Sequence, residues 1–299
     1  MQAGLVDLAF AAVDGPGSPH DFAIVLRFEP GALPALAALE AGARRAREAF
    51  PRSAEALIGK RWVLVPQPPP PIREVSAGAF AGALAERVNL ERGGLPLQLA
   101  APAEGLLLTR FHHAQCDLIS AFAWLGAQLG ESPEVAPLAL KRHPRPARVS
   151  RYAFGAASEP VLGLGPADGA GRRAWLCKSF AARPRPKGTS PTTNDVLAAA
   201  ALAALKGWNQ ARGGGERVAL WMPVNVRESP FAGFGNGSSR VRIHAPSPWP
   251  ELRELPQAVR LRLDWSREHG EWATPRWAER LTALPGGWVR ALLRRQAAD

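Results

Sequence analysis

Two adjacent histidines, His112 and His113, are followed by an aspartate four residues after the second, in the stretch FHHAQCDLISAF. Near neutral pH an imidazole can take a proton and return it, so a histidine at the mouth of a cleft is a candidate general base. A carboxylate at Asp117 can pin the turn. It can also orient an imidazole, directly or through an arginine that braces the loop. Consecutive residues on a strand point to opposite faces, so only one of the two histidines can face a given cavity. A metal site is the competing reading. It needs three or four ligands, and His143 and His244 are remote and in ordinary contexts. No metal is therefore expected. A pair of hydrogen-bonded structural histidines remains the plain alternative. Cys116, between the pair and the aspartate, reads as a small buried filler.

Two later stretches carry further candidates. PTTNDVLAAAALAALKGWN places Asn194 and Asp195 at a helix start, where such residues commonly cap. WMPVNVRESPFAGFGNGSS places Pro223, Asn225 and Arg227 at a strand end, followed by Gly235 and Asn236 in a glycine-rich loop.

The elements that must position these residues follow from periodicity. HDFAIVLRFEPG reads as a strand and turn. Residues 32–50 carry Leu36, Leu39, Ala43, Ala46 and Phe50 on one helical face. RWVLVP is a short strand, QPPPPI a stiff connector, and residues 77–88 a helix. GLLLTRFHH is a buried strand, and Asp117 stands at the N-cap of a helix with a stripe of Leu118, Ala121, Phe122, Leu125 and Leu129. Residues 131–171 form a long crossover, RRAWLCKSF a strand, and 192–209 an alanine-rich helix. ERVALWMPVNV and SRVRIHA are strands, and residues 249–265 and 274–295 are amphipathic helices. Strands thus alternate with helices throughout, a mixed α/β pattern.

All but five of the 37 basic residues are arginine, and they are scattered. Together with 29 glycines and 29 prolines this reads as the coding bias of a GC-rich genome. The net charge of +11 is compatible with an anionic small-molecule donor, but no nucleic-acid module accompanies it, so no nucleic-acid partner is expected. Two cysteines make no disulfide framework. The N-terminus lacks the marks of a signal peptide, and the run VLAAAALAAL is too short to span a bilayer. The expected setting is the cytoplasm, without a transmembrane segment.

Taken in order, HHAQCD, TTNDVLAAAALAAL and MPVNVR followed by FGN resemble the motifs of the CoA-dependent acyltransferase superfamily. That group includes chloramphenicol acetyltransferase, condensation domains and wax ester synthase/diacylglycerol acyltransferases; HHAQCD looks like its HHxxxDG motif. The resemblance implies two chloramphenicol-acetyltransferase-like α/β lobes meeting in a V around a tunnel, with lobes at residues 1–140 and 172–299 joined by a crossover at 141–171. It implies no tightly bound cofactor. The co-substrate would be an acyl-CoA or an acyl carrier protein thioester, and the acceptor an alcohol or amine. His113 would be the general base, His112 would shape the site, and Asp117 would be structural, paired with Arg27, Arg52 or Arg227. Asn194, or nearby N–H groups, would stabilise the oxyanion, with Asn236 a second candidate toward the lobe interface and Asp195 structural.

Two departures stand out. Leu118 occupies the position of the motif's glycine, which would narrow the space for the donor. Relatives continue beyond the point where this chain stops, so the second lobe is expected to be shortened. Such a lobe would expose sheet edges and apolar surface, inviting self-association or a partner chain. The alternative to an acyltransferase is thus an inactive condensation-like protein acting as a binding or assembly module.

Overall fold

The computed structural model describes residues 5–14, 20–65, 72–80, 88, 90, 96–132, 137–141, 190–229, 233–244, 248–273, 283–284, 287–289 and 291. The strand expected at RRAWLCKSF, residues 67–71 of the connector QPPPPI and most of residues 131–171 and 274–295 lie outside them. The chain divides into two compact units. The first comprises Met1–Lys141, Asn225–Ser238 and Arg276–Asp299, and the second Arg142–Val224 and Ser239–Pro275.

The first unit begins with helix α1 (Leu5–Val13) and strand β1 (Asp21–Arg27). Helix α2 (Leu36–Ala49) follows, and a tight helical turn at Pro51–Ala54 leads into the hairpin β2 (Glu55–Ile58) and β3 (Arg61–Leu64). Strands β4 (Arg73–Glu74), β5 (Leu97–Ala101) and β6 (Leu106–His112) complete a four-stranded sheet, order β1-β6-β5-β4. Strand β6 runs antiparallel to both β1 and β5, with Asp21 opposite His112 and Phe22 opposite Phe111. Helix α3 (Leu118–Gln128) follows the histidine turn.

Strand β6 is buried along its length because both of its faces meet other elements. Alternation sends Leu107 to a cluster with Leu39 of α2 and Leu108 to one with Phe80 and Leu99. Phe111 joins Ala43 and Ala46 of α2 and Ala121, Trp124 and Leu125 of α3. Helices α2 and α3 approach closely at Gly42, where a Cβ would run into the Gln128 carbonyl.

The face of α3 turned inward differs from the expected stripe. Leu118, Phe122 and Leu129 are 50%, 53% and 40% exposed, while Ser120, Ala121, Trp124, Leu125 and Gln128 are buried. The rotation has a polar cause. Ser120 is drawn into hydrogen bonds around Arg227, and the Gln128 amide bonds Gln98 and the Leu39 carbonyl. Hydrophobicity alone picks the wrong face when buried polar groups must find partners.

The second unit holds helix α4 (Thr193–Gln210), the paired strands β7 (Ala219–Asn225) and β8 (Ser238–His244), and helix α5 (Leu255–Glu268). Its core joins Ala198, Ala199 and Leu202 of α4, Val241 and Ile243 of β8, and Leu255, Val259 and Leu263 of α5. Helix α5 starts six residues later than the expected Trp249, because residues 252–254 form a turn and Pro256 occupies the first helical turn, where its missing N–H costs nothing. Of the helix expected at 77–88, the tight turn Ala77–Ala79 and a helical Phe80 are described, and residues 81–87 lie outside the described residues. Among the described residues, no helix is long and apolar enough to cross a membrane.

Candidate functional site

The histidine turn lies at the end of β6. His112 is the last strand residue and is fully buried. Its Nδ1 accepts from the Ala114 N–H at 3.0 Å, which leaves the proton of the neutral ring on Nε2. Nε2 lies 3.3 Å from an Asp14 carboxylate oxygen and 3.7 Å from one of Asp21. Burial pushes the His112 pKa down, and the two carboxylates offset that only in part. Asp21 is itself paired with Arg110 at 3.0 Å.

His113 is half-buried. Its N–H donates to the His20 carbonyl at 2.8 Å, and its own carbonyl accepts from Asn236 Nδ2 at 2.7 Å. Phe10 of α1 stacks on the ring with centroids 5.0 Å apart and planes inclined by 19°. Phe22 of β1 packs on it at 4.5 Å. Burial, reinforced by His112 and His20, lowers the His113 pKa to about 4, against a smaller opposing pull from Asp117. The ring is therefore neutral at physiological pH, the form a base requires.

Asp117 caps α3, accepting the Ser120 N–H at 3.1 Å. Of the three arginines considered, Arg227 is its partner, through two bonds of 2.7 Å to the two carboxylate oxygens. Arg52 pairs with Asp7 instead, and Arg27 is exposed. The Gly237 N–H at 2.9 Å and the Ser238 hydroxyl at 2.8 Å complete the set on Asp117. Arg227 also donates to the Ser120 hydroxyl and the Gly235 carbonyl. Burial pushes the Asp117 carboxyl up, but the Arg227 bonds and charge, with Ser120 and Ser238, overcome this and hold it below its ordinary range. Five donors leave this carboxylate committed to fixing the turn between β6 and α3. The Gly237 position must be glycine, since a Cβ there would overlap the Arg227 guanidinium.

Asn236 is buried in the first unit. Its amide donates to the His113 and Ala114 carbonyls and, at 3.0 Å, to Asp7 of α1. Asn194 lies exposed in the first turn of α4, in the second unit. There Thr192 and Asp195 form a reciprocal capping box, and Asp195 is buried, 3.8 Å from Arg260. Cys116 is fully buried and its thiol pKa is raised well above the ordinary value by burial, so it stays protonated.

Sequence reasoning missed Asp7, Phe10, Asp14 and Phe22. For Asp7, Phe10 and Asp14 the available signal was the pattern LVDLAFAAVD, whose apolar positions recur at helical spacing before β1; Phe22 lies in the strand read from HDFAIVLRFEPG.

No protein-family model matches the sequence. No curated protein is significantly similar to it. Solved structures are. A variant of the starter condensation domain of rhizomide synthetase, in complex with C8-CoA and Leu-SNAC, superposes with a TM-score of 0.59 at 17% identity, over 96% of this chain and 75% of that one. The first condensation domain of the calcium-dependent antibiotic synthetase, in complex with a substrate analogue, gives 0.59 at 13%, over 91% and 76%. The X-domain from teicoplanin biosynthesis, in complex with OxyB, gives 0.56 at 14%, over 95% and 73%. The chain has the mixed α/β fold of condensation domains.

Proposed function

We propose that this protein transfers an acyl group from CoA or a carrier-protein thioester to an alcohol or amine, with His113 as general base. The observation that carries the reading is the state of His113: a half-exposed, neutral imidazole on a turn whose carboxylate is fully occupied by Arg227. Support comes from the rhizomide starter condensation domain, a variant of which, on the same fold, was determined in complex with C8-CoA and Leu-SNAC.

In this mechanism His113 accepts the proton of the acceptor O–H or N–H as the heteroatom attacks the thioester carbonyl. The tetrahedral oxyanion collapses with cleavage of the C–S bond. The imidazolium returns its proton to the departing thiolate, giving an ester or amide and free thiol. No acyl-enzyme forms. Asn194, at the start of α4, remains the candidate for the oxyanion, and Asp117, Arg227 and Asn236 hold the turn.

The test follows free thiol released from short- and long-chain acyl-CoAs in the presence of mixed alcohols and amines. Wild type is expected to release thiol and His113→Ala to lose at least 100-fold, the lower range for a general base. Equal rates would remove His113 from the mechanism.

A binding or assembly role is the second reading. It is favoured by Leu118 in place of the motif's glycine and by the X-domain, whose structure was determined together with OxyB. Under that reading neither wild type nor Leu118→Gly releases thiol from any donor. If Leu118 only restricts donor entry, Leu118→Gly releases thiol faster than wild type.

A further inference from the structure

Helix α1 reaches the histidine turn from three directions. Its Asp7 accepts from Asn236, the same amide that holds the His113 carbonyl, and is anchored by Arg52 and by the Trp62 indole. Asp14, just beyond its end, faces His112 and accepts the His20 N–H. Between these ends, Phe10 stacks on the His113 ring and packs on His20 with centroids 5.6 Å apart. Leu8 sinks into a cluster with Leu57, Trp62 and Ala114, which fixes the helix against the turn from the other side.

We propose that Phe10 is a positioning residue for His113: stacked on the ring and joined by Phe22, it fixes the plane of the imidazole and keeps water off it. The proposal rests on His113 being the base for its catalytic consequence, but not for its physical content. A flat ring at 19° to another covers its π-face and removes the solvent that would stabilise the imidazolium. The charged and titratable groups around His113 are already engaged. His112 and Asp117 come from its own segment, and Asp117 is bound to Arg227. Asp21 of β1 is paired with Arg110, Asp7 and Asp14 of α1 hold the contacts just described, and His20 packs on Phe10. The remaining lever on the ring is its aromatic cover, supplied by Phe10 of α1 and Phe22 of β1.

The experiment titrates the full chain, labelled with 13C- and 15N-histidine, by NMR, with His113→Gln assigning the resonance and near-ultraviolet circular dichroism monitoring the fold. Wild-type His113 is expected to be half-protonated near pH 4. Phe10→Ala should raise the midpoint by at least one unit, about tenfold in proton affinity. Phe10→Tyr should restore the wild-type value, and Phe10→Leu should raise it by less than alanine does. A folded Phe10→Ala with the wild-type midpoint overturns the proposal. If the alanine variant does not fold, a folded Phe10→Leu with the wild-type midpoint does the same. Where thiol release is measurable, Phe10→Ala should lower kcat and leave KM for the acyl donor within twofold. Should His113→Ala leave thiol release intact while Phe10→Ala still moves the midpoint, the base assignment fails and the positioning stands.

Discussion

His113 and Asp117 illustrate how four residues of spacing can separate two electrostatic regimes. The imidazole is kept neutral by burial and by neighbouring histidines, and the carboxylate is kept charged by an arginine 110 residues away. The pH consequences have the same sign for different reasons. Folded His113 binds its proton only near pH 4, whereas the free side chain does so near 6.5. Stability contributed by the neutral ring is therefore complete above about pH 6.5 and lost as pH falls toward 4. Any thiol-releasing activity should be flat from neutral pH down to about 5 and fall below that, as the base is consumed. A pH–rate profile with its acid limb at 6–7 would contradict the burial of the ring. Asp117, with its carboxyl lowered, also contributes stability that is present above its unfolded pKa and lost below it. Removing its partner is more severe than titrating it. Arg227→Ala leaves a buried carboxylate unpaired, and a loss of about 3–5 kcal/mol is expected by chemical denaturation. The double variant Asp117→Leu, Arg227→Met should recover part of that, since an apolar pair leaves no uncompensated charge.

At the scale of elements, helix ends carry the polar logic. Thr192 and Asp195 satisfy each other's backbone N–H groups at the start of α4. Thr192→Ala should cost about 1 kcal/mol, measured as a fall in denaturation midpoint, while leaving the His113 titration unchanged. Strand β6 and the Asp117 cap of α3 were legible in the sequence, because a continuous apolar run followed by a capping residue has few other meanings; at the start of α4 the sequence pointed to Asn194 and Asp195, whereas Thr192 is the cap and Asp195 its reciprocal partner. Strands β2, β4 and β5 were not legible. The first is four residues long, the second two, and each is defined by its partner rather than by its own pattern. Helix α1 escaped because nine residues are a short window even at helical spacing, and its place depends on Asp7 meeting Arg52, Trp62 and Asn236. The inward face of α3 escaped for a related reason. Ser120 and Gln128 turn inward to partners far along the chain, which no local window contains. The choice of Arg227 over Arg27 and Arg52 likewise needed the fold, since sequence separation carries no information about which guanidinium arrives.

The whole molecule is built as two units with separate consequences for stability. The first gathers the histidine turn, α1 and the Asn225–Ser238 segment with the four-stranded sheet and the β2–β3 hairpin; the second packs α4 and α5 on the β7–β8 pair. Each has a core that can be weakened from within. Leu202 is fully buried among Ala198, Val218, Val241, Ile243 and Val259, so Leu202→Ala is expected to cost about 2–5 kcal/mol, the range for deleting a leucine side chain from a packed core. Cooperative units open separately under native conditions. Hydrogen exchange on this variant should then quicken in α4, β7, β8 and α5, while amides of β5 and β6 keep their protection and His113 keeps its titration midpoint. Uniform loss of protection across both sheets would mean that the chain opens as one body. That result would also bear on the assay of His113, because thiol release by a variant of the second unit could no longer be read as chemistry apart from stability.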